Sequence, residues 1–218
     1  MLKFIFSLLL SFSILINFSY AEEIKEIKIS GNSRISDETI KVFSELDLNK
    51  NFGDINLNNL IKQLYETNFF SDVNIKYENQ ILYIKVVENP IVQNIIIEGV
   101  KANKLKDQIY DSLLIKEKNS FVEDITKKDV TRISNSLKKN GYYFSEVDLL
   151  VESKKNNTVN LIYNIKLNEK AIIKEIQFIG DKVFKNRKLR RVIVSDEDKP
   201  WKFISNKKYL NEERIKLD

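Results

Sequence analysis

Ile27-Lys28-Ile29-Ser30-Gly31 returns as Ile95-Ile96-Ile97-Glu98-Gly99, and again as Ile176-Gln177-Phe178-Ile179-Gly180. In each run apolar residues stand two apart and a glycine closes the run. That alternation is the period of a strand with one buried face. The glycine supplies a left-handed exit that a side chain resists. Gly31 and Gly99 are 68 residues apart, and Gly99 and Gly180 are 81 apart. The chain therefore reads as an internal repeat, with two complete units and the beginning of a third.

The text between the glycines repeats too. After Gly31, Ser36 caps a helix whose stripe is Ile40, Phe43 and Leu46, and Gly53 lies in the loop beyond. A second helix starts near Asn56 and buries Leu60, Ile61 and Leu64, ending at Thr67-Asn68. Ile55 and Leu60 flank the Asn56 cap as a hydrophobic staple, and the same spacing returns as Ile125, Thr126 and Val130, and as Leu210, Asn211 and Ile215. Two strands follow, Val73 to Tyr77 and Ile81 to Val87, joined at Glu78-Asn79-Gln80 and closed by Pro90. The second repeat has Leu105, Ile109 and Leu113 on its first helix and Thr126 to Asn140 as its second, ended by Gly141. Its hairpin is Val147 to Val151 and Val159 to Leu167, turning at Lys154 to Asn157. The third has a strand over Ile172 to Ile179, a helix near Phe184 to Val192 and the start of a second helix, and no hairpin. The segment after Ala171 is therefore expected to be weakly held.

The fold class is α+β, in tandem β-α-α-β-β units, each a three-stranded sheet under two helices. The expected division is 1–21 leader, 22–90 first unit, 91–170 second unit and 171–218 partial third unit. The leader assignment rests on Lys3, the apolar run from Phe4 to Ile16 and the small residues of Ser19-Tyr20-Ala21. That run is shorter than the roughly 20 residues of a spanning helix, so the mature chain is expected to begin at Glu22 and to be exported.

Composition narrows the chemistry. The chain has no cysteine and no histidine, which removes thiol nucleophiles, disulfides, Cys/His zinc sites and Ser-His-Asp triads. No glycine-rich phosphate loop, metal-ligand cluster or acid/base pair stands out. The sequence thus assigns no catalytic, cofactor or metal residue and no enzyme. The net charge of +5 comes from lysines interleaved with acids, without a basic block. With Lys, Asn and Ile all abundant, this reads as coding bias rather than a nucleic-acid surface.

The order of elements, the closing glycine and Leu64-Tyr65-Glu66-Thr67-Asn68-Phe69-Phe70-Ser71-Asp72-Val73 resemble the POTRA (polypeptide-transport-associated) domains of outer-membrane β-barrel assembly proteins. Asn140-Gly141-Tyr142-Tyr143-Phe144-Ser145-Glu146-Val147 fits the same place in the second repeat, and Lys199-Pro200-Trp201-Lys202-Phe203 resembles a longer inter-helix loop of the third. The resemblance implies the N-terminal part of a longer protein, with further such domains in the periplasm and a barrel in the outer membrane. It implies unfolded outer-membrane proteins and accessory assembly lipoproteins as partners, and no nucleic acid.

Binding in this family is thought to use exposed sheet edges, where unpaired main-chain groups accept another strand. That makes Val73, Asn74, Ile75, Lys76 and Tyr77 one candidate edge, and Val147, Asp148, Leu149, Leu150 and Val151 a second. An ordinary edge kept soluble by Asn74, Lys76 and Asp148 is the competing reading. Trp201, between Pro200 and Lys202, either anchors a partner or packs on the third unit. Tyr142, Tyr143 and Phe144 are expected to cover a helix-to-strand corner. A two-partner-secretion transporter is the alternative function, although such proteins typically carry two POTRA domains. A cell-division protein with one such domain and a free periplasmic module fit the repeats less well.

Overall fold

The computed structural model describes residues 24–46, 56–180, 183–201 and 205–218. The leader, Gly53, the staple residue Ile55 and Lys202-Phe203 lie outside the described residues. The chain divides into two compact units, one through Glu88 and one from Asn89.

The first unit runs β1 (Glu26–Ser30), α1 (Asp37–Phe43), α2 (Leu57–Glu66), β2 (Phe70–Glu78) and β3 (Ile81–Glu88). Its sheet order is β1-β3-β2, with β1 parallel and β2 antiparallel to β3. The caps follow the sequence. The Ser36 side chain accepts from the Thr39 N–H, and Asn56 Oδ1 accepts from the Asn59 N–H at 3.1 Å. Asn79 and Gln80 turn the hairpin with φ of 52° and 66°, the left-handed pair that a two-residue loop between right-twisted strands requires. Ile40, Leu60, Leu64, Leu82, Ile84 and Val86 form the core.

The second unit repeats the plan: β4 (Ile91–Glu98), α3 (Asn103–Ser112), α4 (Glu123–Lys139), β5 (Glu146–Lys154) and β6 (Thr158–Lys166). The sheet order β4-β6-β5 and the pairing directions match those of the first unit. Val92, Ile109, Ile133, Leu137, Leu161 and Tyr163 fill its core. Gly141, at φ 93°, ends α4 as a Schellman cap: its N–H donates to the Lys138 carbonyl, and that of Tyr142 to the Leu137 carbonyl.

Three sequence expectations change. Helix α4 starts at Glu123, capped by Val122, so Thr126 is a helical residue and no staple forms there. Glu123 and Asp124 favour the earlier start by complementing the N-terminal dipole, and Thr126 turns its hydroxyl back to the Glu123 carbonyl at 2.7 Å. Residues 172–179 pair in no ladder, apart from one bridge between Ile172 and Tyr209. A strand needs a neighbour along its length for its main-chain groups, and among the described residues only scattered bonds reach this one, such as that of the Ile173 N–H to the Lys208 carbonyl. The helix expected over 184–192 contracts to α5 (Asn186–Leu189). By contrast α6 (Glu212–Ile215) carries the expected cap, with Asn211 Oδ1 accepting from the Arg214 N–H at 3.0 Å.

The segment after Ala171 is tied to the C-terminal end of α4. The Ala171 N–H donates to the Gly141 carbonyl at 2.9 Å, and Asn211 Nδ2 to the Lys139 carbonyl at 2.9 Å. The Glu212 N–H donates to the Tyr143 hydroxyl at 3.1 Å, and Lys139 pairs with Glu213 at 2.8 Å. Lys170 Nζ lies 4.8 Å from the Tyr142 ring centroid and 4.7 Å from that of Tyr209. Tyr142 and Tyr143 thus build this joint; of the three aromatics expected to cover the corner, Tyr142 packs against the core, whereas Phe144 is exposed. Among the described residues no helix is long and apolar enough to cross a membrane, and no group of His, Cys, Asp or Glu is placed to hold a metal.

Candidate strand-binding edges

Each unit presents the first strand of its hairpin at a sheet edge, because the middle position goes to β3 or β6. The two edges differ in how open they are.

On β2, Val73, Ile75 and Tyr77 turn toward the first unit's core, while Asn74 and Lys76 are exposed. The register breaks between Phe70 and Asp72, and the Val73 N–H donates to the Tyr65 hydroxyl at 3.1 Å. Tyr65 on α2 therefore closes the beginning of this edge. Lys76 pairs with Glu78 at 2.6 Å, which keeps the edge charged.

On β5 the ladder is unbroken, nine residue pairs from Glu146 to Lys154. Val147 and Leu149 pack against the core, and Asp148, Leu150 and Val151 are exposed. Leu150 stands opposite Ile162, which stands opposite Ile96, so an apolar row crosses the outer face of the sheet. Leu150 and Ile96 are 54% and 37% exposed. Beside that row Asn94 Nδ2 donates to Asn160 Oδ1 at 3.0 Å, and Asn160 Nδ2 to Glu152 Oε2 at 3.4 Å. Glu152 also pairs with Lys154 at 2.7 Å. An edge with continuous register, a hydrophobic stripe and polar rims offers main-chain bonds for affinity and side-chain positions for selection.

Trp201 belongs to neither edge. It is 72% exposed in the segment after Ala171, with Lys199 Nζ 5.9 Å from its ring. Lys199 is itself held by Glu197 at 3.1 Å.

Carboxylates that brace loops escaped the sequence reading. Glu88, with its side chain 2% exposed, accepts from the N–H groups of Ser33, Arg34 and Ile35 at 2.8–2.9 Å and from Arg34 Nε at 3.0 Å. Burial alone would raise its carboxyl, but the Ile35, Ser33 and Arg34 donors and the guanidinium outweigh it and hold it at about 2. Asp129, fully buried on α4, accepts from the Leu114 and Ile115 N–H groups at 2.6 and 3.0 Å. Glu197 is held at about 2 by Arg190 first, with the Ile176 N–H adding to it. A lone acid in a charged sequence carries no mark of such a distant partner.

Residues 90–167 match the POTRA family, described as a surface antigen variable number repeat. The chain is 28% identical over 209 residues to the outer membrane protein assembly factor BamA of Neorickettsia risticii, covering 93% of this chain and 27% of that protein. It is 24% identical to BamA of Neisseria meningitidis serogroup B, over 89% of this chain and 25% of that protein. The crystal structure of POTRA domains 3–5 of Haemophilus influenzae BamA is similar at 14% identity with a TM-score of 0.41, covering 89% of this chain and 82% of that one. The chain thus spans about a quarter of the length of these curated relatives. The resemblance read from the repeats is matched by the POTRA family over residues 90–167 and by similarity to BamA over most of the chain.

Proposed function

We propose that this tandem POTRA chain is the periplasmic scaffold of an outer-membrane β-barrel assembly protein. It is exported, divided as 22–90, 91–170 and 171–218, and works by binding rather than catalysis. Its partners are unfolded outer-membrane proteins, which add a strand to a sheet edge, and accessory assembly lipoproteins.

One observation carries this reading: β5 is an unpaired edge with nine residue pairs in unbroken register and an exposed apolar row beside it. Edges in soluble proteins are usually shortened, bulged or covered. The other candidate is closed at its start by Tyr65, so β5 is the principal site and Ile75 to Tyr77 the secondary one. Trp201 is proposed as a peripheral contact.

Amide hydrogen exchange on the chain, with and without a urea-unfolded outer-membrane barrel protein diluted into it, tests the proposal. Protection should rise over residues 146–154. A Leu150→Asp variant, with its ladder intact, should lose most of it. Unchanged exchange across 146–154 would sink the β5 assignment.

A further inference from the structure

The outer face of the second unit's sheet is ruled in rows across its three strands. Glu98, Asn164 and Asp148 form one row, Ile96, Ile162 and Leu150 the next, and Asn94, Asn160 and Glu152 the third. Along the edge strand β5 this leaves Asp148, Leu150 and Glu152 exposed on one face at alternate positions. A single apolar step thus stands between two carboxylates, on the strand that lies at the rim of the sheet.

The carboxylates are not equally engaged. Glu152 is held by Lys154 at 2.7 Å and accepts from Asn160 Nδ2 at 3.4 Å, and Glu146 is held by Lys166 at 3.4 Å. Asp148 and Glu98 pair with no cation among the described residues. The face therefore sets Glu98, Glu146, Asp148 and Glu152 against Lys154 and Lys166. It is an acidic surface on a chain whose net charge is +5.

The first unit's outer face has the opposite character. Lys28, Tyr83 and Lys76 form one row, with Lys28 Nζ 5.9 Å from the Tyr83 ring centroid, and Lys85 stands in the next row beside Asn74. Nor does a second copy of β5 suit the acidic face. Two such edges paired antiparallel about Leu150 would set Asp148 opposite Glu152, and paired in parallel register would set each acid opposite itself. Like charges directly opposite one another destabilise a pair of strands. The occupant that satisfies this edge carries cations at the two places facing the acids.

We infer that β5 selects extended segments reading basic-x-apolar-x-basic, with the central apolar residue against Leu150 and the two cations against Asp148 and Glu152. This rests on the proposal that β5 accepts a strand, and it adds which strand is taken. The order acid-x-Leu150-x-acid is the same from both ends, so the selection holds for a strand running parallel or antiparallel to β5. The central residue lengthens the row of Ile96, Ile162 and Leu150 by one place and covers Leu150, which is 54% exposed. Opposite charges across neighbouring strands favour pairing and like charges oppose it, so the same carboxylates admit one class of segment and refuse its acidic counterpart. Asp148 selects more strongly than Glu152, whose charge an incoming cation must share with Lys154.

The test titrates the full chain with three short peptides that share a Val-Leu-Val centre and differ only in the residue on each side of it, lysine, glutamine or glutamate. Amide exchange over residues 146–154 reads the binding. The lysine peptide should bind about tenfold more tightly than the glutamate peptide, with glutamine between them. The ratio should shrink toward one at about 0.5 M salt, and Asp148→Asn should cut it to about threefold. Equal protection of 146–154 by all three peptides overturns this inference and leaves β5 an edge that takes any strand. Protection by none overturns the strand-binding reading of β5 along with it. A lysine preference that survives Asp148→Asn undiminished, or that protects residues other than 146–154, also overturns the inference.

Discussion

Glu88 ends β3 with Oε1 2.9 Å from the N–H of Ile35, fifty-three residues earlier in the chain. That carboxylate fixes the loop between β1 and α1, so the entry to the first helix depends on the state of one acid. Its folded value of about 2 lies below the ordinary 4.5, so its stabilisation is full above pH 4.5 and fades as pH falls from there toward 2. Glu88→Gln should cost on the order of 2 kcal/mol at pH 7 and almost nothing near pH 2. Thermal melts of wild type and variant across that range should converge at the acid end.

Gly31 and Gly99 face carbonyl oxygens at distances no Cβ tolerates. Gly31→Ala and Gly99→Ala should each destabilise their own unit by about 3 kcal/mol or more, since the neighbour that must shift is main chain. Gly180→Ala in the 218-residue chain should cost only its left-handed strain. Calorimetry on the three variants would show two large drops and one small one.

Asp129 satisfies two consecutive N–H groups in a fully buried setting. Asp129→Ala leaves both donors without acceptors and should cost about 3 kcal/mol. Chemical denaturation should show a lower midpoint with an unchanged slope, because the compactness of the folded state is retained.

The Lys170 ammonium between the Tyr142 and Tyr209 rings and the Gly141 cap hold residues 205–218 against α4. Lys170→Met should loosen this joint by about 1 kcal/mol. Gly141→Ala should cost about 1 kcal/mol from its positive φ and crowd Tyr209, whose Cβ would lie 3.2 Å from the new methyl. Limited proteolysis should cut after Tyr209 sooner in both variants, with residues 91–167 surviving as in wild type.

Local signals were legible in the sequence. Ser36, Asn56 and Asn211 cap the helices their positions announce, and the alternation of Ile75 with Lys76 and of Val147 with Asp148 places both edge strands. What escaped depends on distance. Thr126 satisfies the cap spacing, yet the acidic pair before it extends the helix past it. Residues 172–179 have the strand pattern, yet pattern without a neighbour makes no ladder. Tyr65 closing the beginning of β2, Glu117 and Glu197 sealing strand flanks, and Glu88 bracing a loop all act across turns of chain that no local window spans.

Of the eight described non-glycine residues with left-handed backbone, five are asparagines: Asn68, Asn79, Asn156, Asn157 and Asn168. The whole sequence spends only five glycines. Asparagine enters that conformation at modest cost and, unlike glycine, does not enlarge the repertoire of the denatured chain. An abundance that resembles nucleotide bias is thus also an entropic economy. Swapping these asparagines for glycine would ease each turn while loosening the unfolded ensemble against which every turn is measured.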